Sequence, residues 1–199
     1  NSIGEITIII ALLNGISSEQ MIGEVYGFDN IVYCVAQGMD AARYGEKLTY
    51  TVSGELRIGV PAGTDAAPLK KLEAFFDTAG IAYTEEDDII RRLWGKFMLN
   101  VGINQTCMVY GITFGAALQE GTEANRTLIA AMREVISIAQ AEGIDLSEAD
   151  INQDSEILGT LSAEGSPSMA QDRIKKQPSE VEFFAGTVLR HAEKHGLYV

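Results

Sequence analysis

One lysine and two asparagines recur at four-residue spacing in the segment Leu93–Asn104; they are Lys96, Asn100 and Asn104. On an α-helix, residues four apart lie about 40° apart in projection, so the three side chains form one slowly drifting row. Apolar residues flank the row on both sides, which predicts that it does not lie on the solvent-facing surface of its helix. These residues are Leu99, Ile103 and Cys107 on one side, and Leu93, Phe97 and Val101 on the other.

A row of polar groups in such surroundings needs partners, because each unmet polar group costs roughly 1 to 3 kcal/mol on burial. A bound polar ligand would supply them. The asparagine amides would then bind hydroxyl or carboxylate groups, and the Lys96 ammonium would face a carbonyl oxygen. The alternative is structural: Lys96 extends its ammonium to solvent while the two asparagines bridge helices.

Three further polar residues occupy positions where ligands often bind. Asn14 lies in a turn after an apolar run predicted to be a buried strand, and ligands bind at the carboxyl ends of strands in open α/β sheets. Ser168 begins a short predicted helix. Glu180 lies two residues into a helix predicted from Pro178, where the helix dipole favours a carboxylate. An ordinary turn and two helix caps would explain the same residues without any ligand.

The elements that must position these residues change in type once along the chain. The first part alternates strands and turns, with strands predicted at 6–13, 31–35, 48–52, 56–60 and 81–83, the third and fourth forming a hairpin, and a helix at 65–79. The second part is predicted to contain long helices at 88–110, 122–142, 147–161 and 178–195. The sequence thus predicts an α/β domain of partial Rossmann type at 1–85 and an all-helical domain at 86–199.

Composition argues against several classes of partner and site. The chain has 28 acidic and 15 basic residues and a formal net charge of −13, which repels phosphate backbones and anionic lipid. We therefore expect neither nucleic acid nor a membrane as a partner. Cys34 and Cys107 lie in apolar runs, which favours reduced thiols in a cytoplasmic protein. His191 and His195 are predicted to form one helix face, and no metal site is predicted.

The phosphate-binding turn typical of dinucleotide folds does not occur. Nowhere in the sequence is there a G-x-G-x-x-G between a strand and a helix. Since the chain opens directly on an apolar β-run, we expect it to be a fragment of a dinucleotide-binding protein that lacks the first βαβ units. We expect little or no activity from such a fragment alone.

Four motifs in this order resemble the ketopantoate reductase family, and the resemblance covers essentially the whole chain. They are the L-x-N-G turn at Leu12–Gly15, L-W-x-K-x-x-x-N-x-x-x-N at Leu93–Asn104, S-M-x-x-D at Ser168–Asp172 and [ST]-E-x-[DE]-x-x-x-G at Ser179–Gly186. The resemblance implies a helical domain like the C-terminal domain of 6-phosphogluconate dehydrogenase. It also implies NADPH-dependent reduction of 2-dehydropantoate (ketopantoate) to (R)-pantoate, on the route to coenzyme A.

The resemblance further implies residue roles. Lys96 matches the catalytic lysine that protonates the ketone oxygen, Asn100 and Asn104 match substrate-binding amides, and Ser168 matches a serine that contacts the substrate carboxylate.

The cofactor side of the site is implied by the same resemblance. Glu180 matches a carboxylate near both cofactor and substrate, with a catalytic and a cofactor-binding role. Asn14 matches an asparagine at the junction of cofactor and substrate, and Ala41 matches a backbone contact to the cofactor.

Some positions depart from the family pattern. Two asparagines that bind substrate in some relatives are Phe114 and Gly165 here, and a Thr-His pair is Met39-Asp40. Two alternatives therefore stand beside pantoate chemistry: a related 2-keto or hydroxy acid dehydrogenase with another substrate, and a helical association module without catalysis. A homodimer is compatible with either.

Overall fold

The computed structural model contains strands and helices in the first part of the chain and helices in the second. The structure describes residues 3–39, 42–44 and 46–199, and the chain forms two compact units: unit 1, Asn1–Leu93, and unit 2, Trp94–Val199. Unit 1 contains β1 (Ile9–Ile10), α1 (Ser18–Tyr26), β2 (Ile31–Met39), β3 (Ala42–Tyr44), β4 (Lys47–Thr49), β5 (Ser53–Gly59), α2 (Ala67–Ala79), β6 (Tyr83–Glu85) and the start of α3 (Ile89–Tyr110).

A mixed sheet in the order β1-β2-β5-β6 forms the centre of unit 1. The β1–β2 and β5–β6 pairs are parallel, and the β2–β5 pair is antiparallel. Successive side chains of a strand face opposite sides. Cys34 and Ile58 accordingly pack with Phe76 of α2, while Val35 packs with Ile89 at the start of α3. Helical cover on both faces is typical of a Rossmann-type sheet.

Unit 2 is helical. It contains the rest of α3, then α4 (Phe114–Leu118), α5 (Glu123–Ala141), α6 (Glu148–Gly159), α7 (Ser168–Lys175) and α8 (Val181–His195). Its fully buried side chains include Phe97, Met98, Leu128, Met132 and Phe184. Among the described residues, no helix combines the length and the apolar character needed to cross a membrane.

The long helices predicted from the sequence are confirmed. The largest difference in their bounds is at α8, which begins at Val181 and not at the predicted Pro178. Glu180 is therefore the N-cap residue of α8 and does not lie inside the helix. The short α4 has no counterpart in the prediction, because five residues carry too little periodicity to be recognised.

The predicted hairpin between 48–52 and 56–60 is wrong. Ser53–Gly59 is one strand that pairs with β2, and Lys47–Thr49 pairs with Ala42–Tyr44. Gly54, a predicted turn residue, lies within β5 at a close approach of two backbones. A Cβ there would lie 2.3 Å from the carbonyl oxygen of Gln37. The glycine is needed here for the close approach of the backbones. From the sequence alone, such a glycine cannot be distinguished from one in a turn.

The predicted strand at 6–13 is also too long. Within this run the paired residues are Ile9–Ile10, with Ile31 and Val32 of β2 as partners, and Ile6 and Leu13 are exposed. Within the described residues β1 is an edge strand, so the apolar run has a neighbour on one side only. Apolar character predicts the strand, but pairing decides how many residues adopt it.

Candidate active site

The row on α3 lies in partly dry surroundings. Lys96 and Asn100 are half-buried, and Asn104 is only 6% exposed. Phe97 and Val101, on one flank of the row, are buried. The prediction that the row avoids the open surface of the helix is therefore confirmed.

Asn100 has a buried amide nitrogen that the protein does not satisfy. Its Nδ2 atom has no hydrogen-bond partner among the residues that the structure describes. Asparagine Nδ2 carries two N–H donors, and leaving such a group buried and unpaired costs about 1 to 3 kcal/mol. A ligand oxygen would remove that cost. The amide is thus placed to receive an acceptor such as a hydroxyl or carboxylate oxygen.

Ser168 and Glu180 are brought together at the starts of two helices. Ser168 is the first residue of α7 and is exposed, and Glu180 is the N-cap residue of α8 and is half-buried. The Ser168 hydroxyl donates to Glu180 Oε2 at 3.5 Å, which is a long contact. The first-turn N–H groups of α7 lie beside the hydroxyl, and such groups favour anions. Ser168 thus lies beside donors that favour an anion, whereas the Glu180 carboxylate next to it would repel one.

Asn14 belongs to unit 1, whereas the other described site residues belong to unit 2. It is half-buried and lies in the bend that follows β1, at the carboxyl end of a strand that pairs in parallel with β2. Ala41 lies outside the described residues.

Phe114 and Gly165, where the resemblance leads to an expected asparagine, are in contact with each other. The Phe114 N–H donates to the Gly165 carbonyl oxygen at 2.9 Å. A Cβ at position 165 would lie 3.1 Å from the Phe114 ring. The ring thus lies against the segment that leads into Ser168.

Sequence reasoning missed a polar cluster around Glu142. Glu142 Oε1 lies 2.7 Å from His191 Nδ1, 2.8 Å from Lys194 Nζ and 2.9 Å from His195 Nε2. The His191 ring also meets Trp94 edge-on, with 5.5 Å between the ring centroids. Both histidines therefore face another helix of unit 2, which is not what a solvent-exposed helix face would show.

One sequence signal would have pointed to this cluster. Glu142 follows the last residue of α5, where the helix dipole disfavours a negative charge. A carboxylate in that position needs nearby cations or donors.

Within the described part of the chain, no group of three or more suitable side chains is arranged to hold a metal ion.

Comparison with known proteins connects this site to a family. The sequence family described as "Ketopantoate reductase PanE/ApbA C terminal" matches residues 88–199. A 2-dehydropantoate 2-reductase from Halobacterium salinarum is 27% identical over 191 residues, which cover 96% of this chain and 62% of that protein.

Solved structures share the fold. A dimeric ketopantoate reductase from Staphylococcus aureus has a TM-score of 0.82 at 25% identity, over 96% of this chain and 63% of that chain. D-mandelate dehydrogenase in complex with NADH has a TM-score of 0.84 at 23% identity, over 96% of this chain and 65% of that chain, which is a likeness of fold alone. The chain thus spans 62 to 65% of the length of these three proteins.

Proposed function

Because the chain belongs to the ketopantoate reductase family, we propose that it carries the catalytic part of an NADPH-dependent 2-dehydropantoate 2-reductase. The reaction is the reduction of 2-dehydropantoate to (R)-pantoate. The match to the family's C-terminal part covers residues 88–199, and this part contains Lys96, Asn100, Asn104, Ser168 and Glu180.

The unsatisfied Nδ2 of Asn100 is the observation that carries the proposal. A structural role in bridging helices would give this amide an acceptor within the protein, and the described residues provide none. The nitrogen lies on the row with Lys96, one helical turn away. A substrate with a ketone oxygen next to hydroxyl or carboxylate groups offers acceptors to the donors of such a row.

The proposed chemistry assigns one proton transfer to Lys96. Its Nζ donates a proton to the ketone oxygen while the carbonyl carbon accepts a hydride, so the C=O double bond becomes a C–O single bond with a hydroxyl. Negative charge builds on the oxygen in the transition state, and a nearby ammonium stabilises that charge most at this point. Asn100, Asn104 and Ser168 hold the substrate, with Ser168 at its carboxylate.

A nicotinamide dinucleotide, when bound, supplies the hydride. The position of Asn14 fits such a group, because the carboxyl ends of parallel strands are where open α/β sheets bind dinucleotides. Asn14, Glu180 and the backbone of Ala41 are the residues we propose to hold it. The preference for NADPH over NADH rests on the family.

Several finer statements stay predictions. They are the functional division into a cofactor domain at 1–85 and a catalytic domain at 86–199, the likeness of the helical part to 6-phosphogluconate dehydrogenase, and a cytoplasmic location. A homodimer is also a prediction, for which the dimeric Staphylococcus aureus relative is a precedent. Light scattering of the purified complete protein would measure its oligomeric state.

Lys96→Ala in the complete protein tests the proposal. We expect kcat for 2-dehydropantoate to fall at least about a hundredfold, the usual scale for a positioned general acid. Lys71→Ala removes an exposed lysine from α2 and serves as the control, with activity unchanged. Near-normal turnover of the Lys96 variant would remove that residue from the mechanism.

Two further measurements separate the alternatives. If the wild-type protein prefers other 2-keto acids in a substrate profile, the assignment moves to a related dehydrogenase. If titration with NADPH, followed by cofactor fluorescence, detects no binding by the complete protein, a non-catalytic association module becomes the better description.

A further inference from the structure

We propose that Arg173 is a positioning residue that joins α7 to the C-terminal end of α3 and so sets the place of Ser168 relative to the polar row. The inference rests on the proposed function for the role of Ser168. The positioning of α7 by Arg173 is observed as a contact between two helices of unit 2, and that contact does not depend on any reaction.

The end of α3 leaves backbone carbonyls without partners inside the helix, as every α-helix does. The Cys107 carbonyl accepts from the N–H groups of Gly111 and Ile112 at 2.9 and 3.2 Å. The Val109 carbonyl accepts from Arg173 Nη1 at 2.9 Å, and the Met108 carbonyl accepts from the same nitrogen. Arg173 thus caps α3 from another helix.

Charge favours the same arrangement. The C-terminal end of a helix carries partial negative charge and attracts cations. None of residues 107–110, the last turn of α3, is basic. Arg173 in the last turn of α7 supplies the missing positive charge.

Gly111 makes room for the guanidinium. It has a φ of +67°, which ends the helix, and a Cβ at this position would lie 3.1 Å from Arg173 Nη1. A larger residue would strain the backbone and also crowd the arginine. The end of α3 is therefore shaped to accept this side chain.

The contact fixes α7 because that helix is short. It has eight residues, and a helix of this length is not stable on its own. Its anchors include the buried side chains of Met169 and Ala170 together with the guanidinium of Arg173. Ser168 lies five residues before Arg173, about 7.5 Å along the helix axis. If the hydrogen bonds of Arg173 to the end of α3 are lost, the Ser168 hydroxyl is no longer held in one position relative to the polar row.

A double-mutant cycle in the complete protein tests the functional coupling. Arg173→Ala and Ser168→Ala should each raise KM for 2-dehydropantoate about tenfold and change kcat less than about threefold, since both loosen the same substrate contact. The KM of the double variant should be no higher than that of the single variant with the higher KM. Arg173→Lys keeps the charge with a different donor geometry and should recover part of the loss.

The matched control is Arg126→Ala. Arg126 is an exposed arginine of unit 2 that also donates to a backbone carbonyl, that of Gly121 at 2.8 Å, and its loss should leave KM unchanged. If the effects of Arg173→Ala and Ser168→Ala multiply, or if Arg173→Ala leaves KM unaltered, the coupling is refuted.

Hydrogen exchange without substrate separates this inference from the proposed function. Arg173→Ala should speed the exchange of the amides of α7, while Arg126→Ala should not. Unchanged exchange in α7 would overturn the positioning role whatever the enzyme reduces. Faster exchange in a protein that does not reduce 2-dehydropantoate would support the docking of α7 and count against the proposed function alone.

Discussion

Replacing Glu142 by Gln should destabilise unit 2 at neutral pH and remove part of the acid sensitivity of its stability. Burial of this carboxyl raises its pKa, but the polar contacts from Lys194, His195 and His191 outweigh burial and leave the pKa at about 2. In the unfolded chain the group returns to its ordinary value of 4.5. Folding is therefore linked to the ionised form of Glu142.

The magnitude follows from the difference between 4.5 and about 2. At about 1.36 kcal/mol per unit of pKa, this difference of about 2.5 corresponds to at most about 3.4 kcal/mol. The side chain is 20% exposed, so solvent screens part of the interaction and a loss of about 1 to 2 kcal/mol is expected. Because the folded pKa is the lower one, this stability is complete above pH 4.5 and is lost as the pH falls towards 2.

Urea unfolding followed by Trp94 fluorescence measures this effect. Trp94 is the only tryptophan and packs against His191, so its signal reports on unit 2. Wild type should be more stable than Glu142→Gln at pH 7, and the gap should shrink steadily below about pH 4.5. The control is Glu148→Gln: Glu148 is 61% exposed in its pair with Arg133, and its loss should change stability less. A gap that is absent at pH 7, or constant down to pH 3, would refute the reasoning.

Three other predictions follow from burial and packing. Asn100→Leu should raise KM for the keto acid about tenfold or more while leaving the free energy of unfolding unchanged or raising it by up to about 1 to 3 kcal/mol, because it removes an amide nitrogen that is buried without a partner in the described structure; a loss of stability would show a structural amide. Gly102→Ala should cost about 1 to 3 kcal/mol in urea unfolding, since the new Cβ would lie 2.6 Å from Met132 Cγ; an unchanged midpoint would contradict this packing. Cys34 and Cys107 are buried, and burial raises the pKa of Cys107 to about 11, so an aromatic disulfide reagent at pH 8 should label both thiols only as the protein unfolds; rapid labelling would contradict this.

Helical periodicity made much of unit 2 predictable. A helix of 22 residues such as α3 repeats its pattern often enough to locate both the helix and the polar row on it. A second local signal places Ser168 at a helix start: Ser166-Pro167 precedes it and the apolar pair Met169-Ala170 follows it. Such information lies within a few residues of the chain. These features can therefore be predicted from the local sequence without knowledge of the rest of the fold.

Pairing between distant residues was not predictable in the same way. Glu55 lies opposite Gln37 because β5 runs back along β2, and the local sequence around Gly54 carries a turn signal instead. The contact of Glu142 with His191, across two helices, has no local signature beyond an acid in an unfavourable place. These features depend on which elements meet.

Phe114 and Gly165 show why the substrate is harder to derive than the reaction. The resemblance leads to an expected asparagine at each position, and the structure makes the two positions one feature, since the Phe114 ring lies where a side chain at position 165 would begin. An asparagine at position 165 alone would crowd the Phe114 ring. An asparagine at position 114 alone would remove the ring that packs against Gly165. A side chain at position 165 therefore requires a smaller residue at position 114. A preference for a more apolar keto acid would reflect both positions, while the proton transfer proposed for Lys96 would be the same.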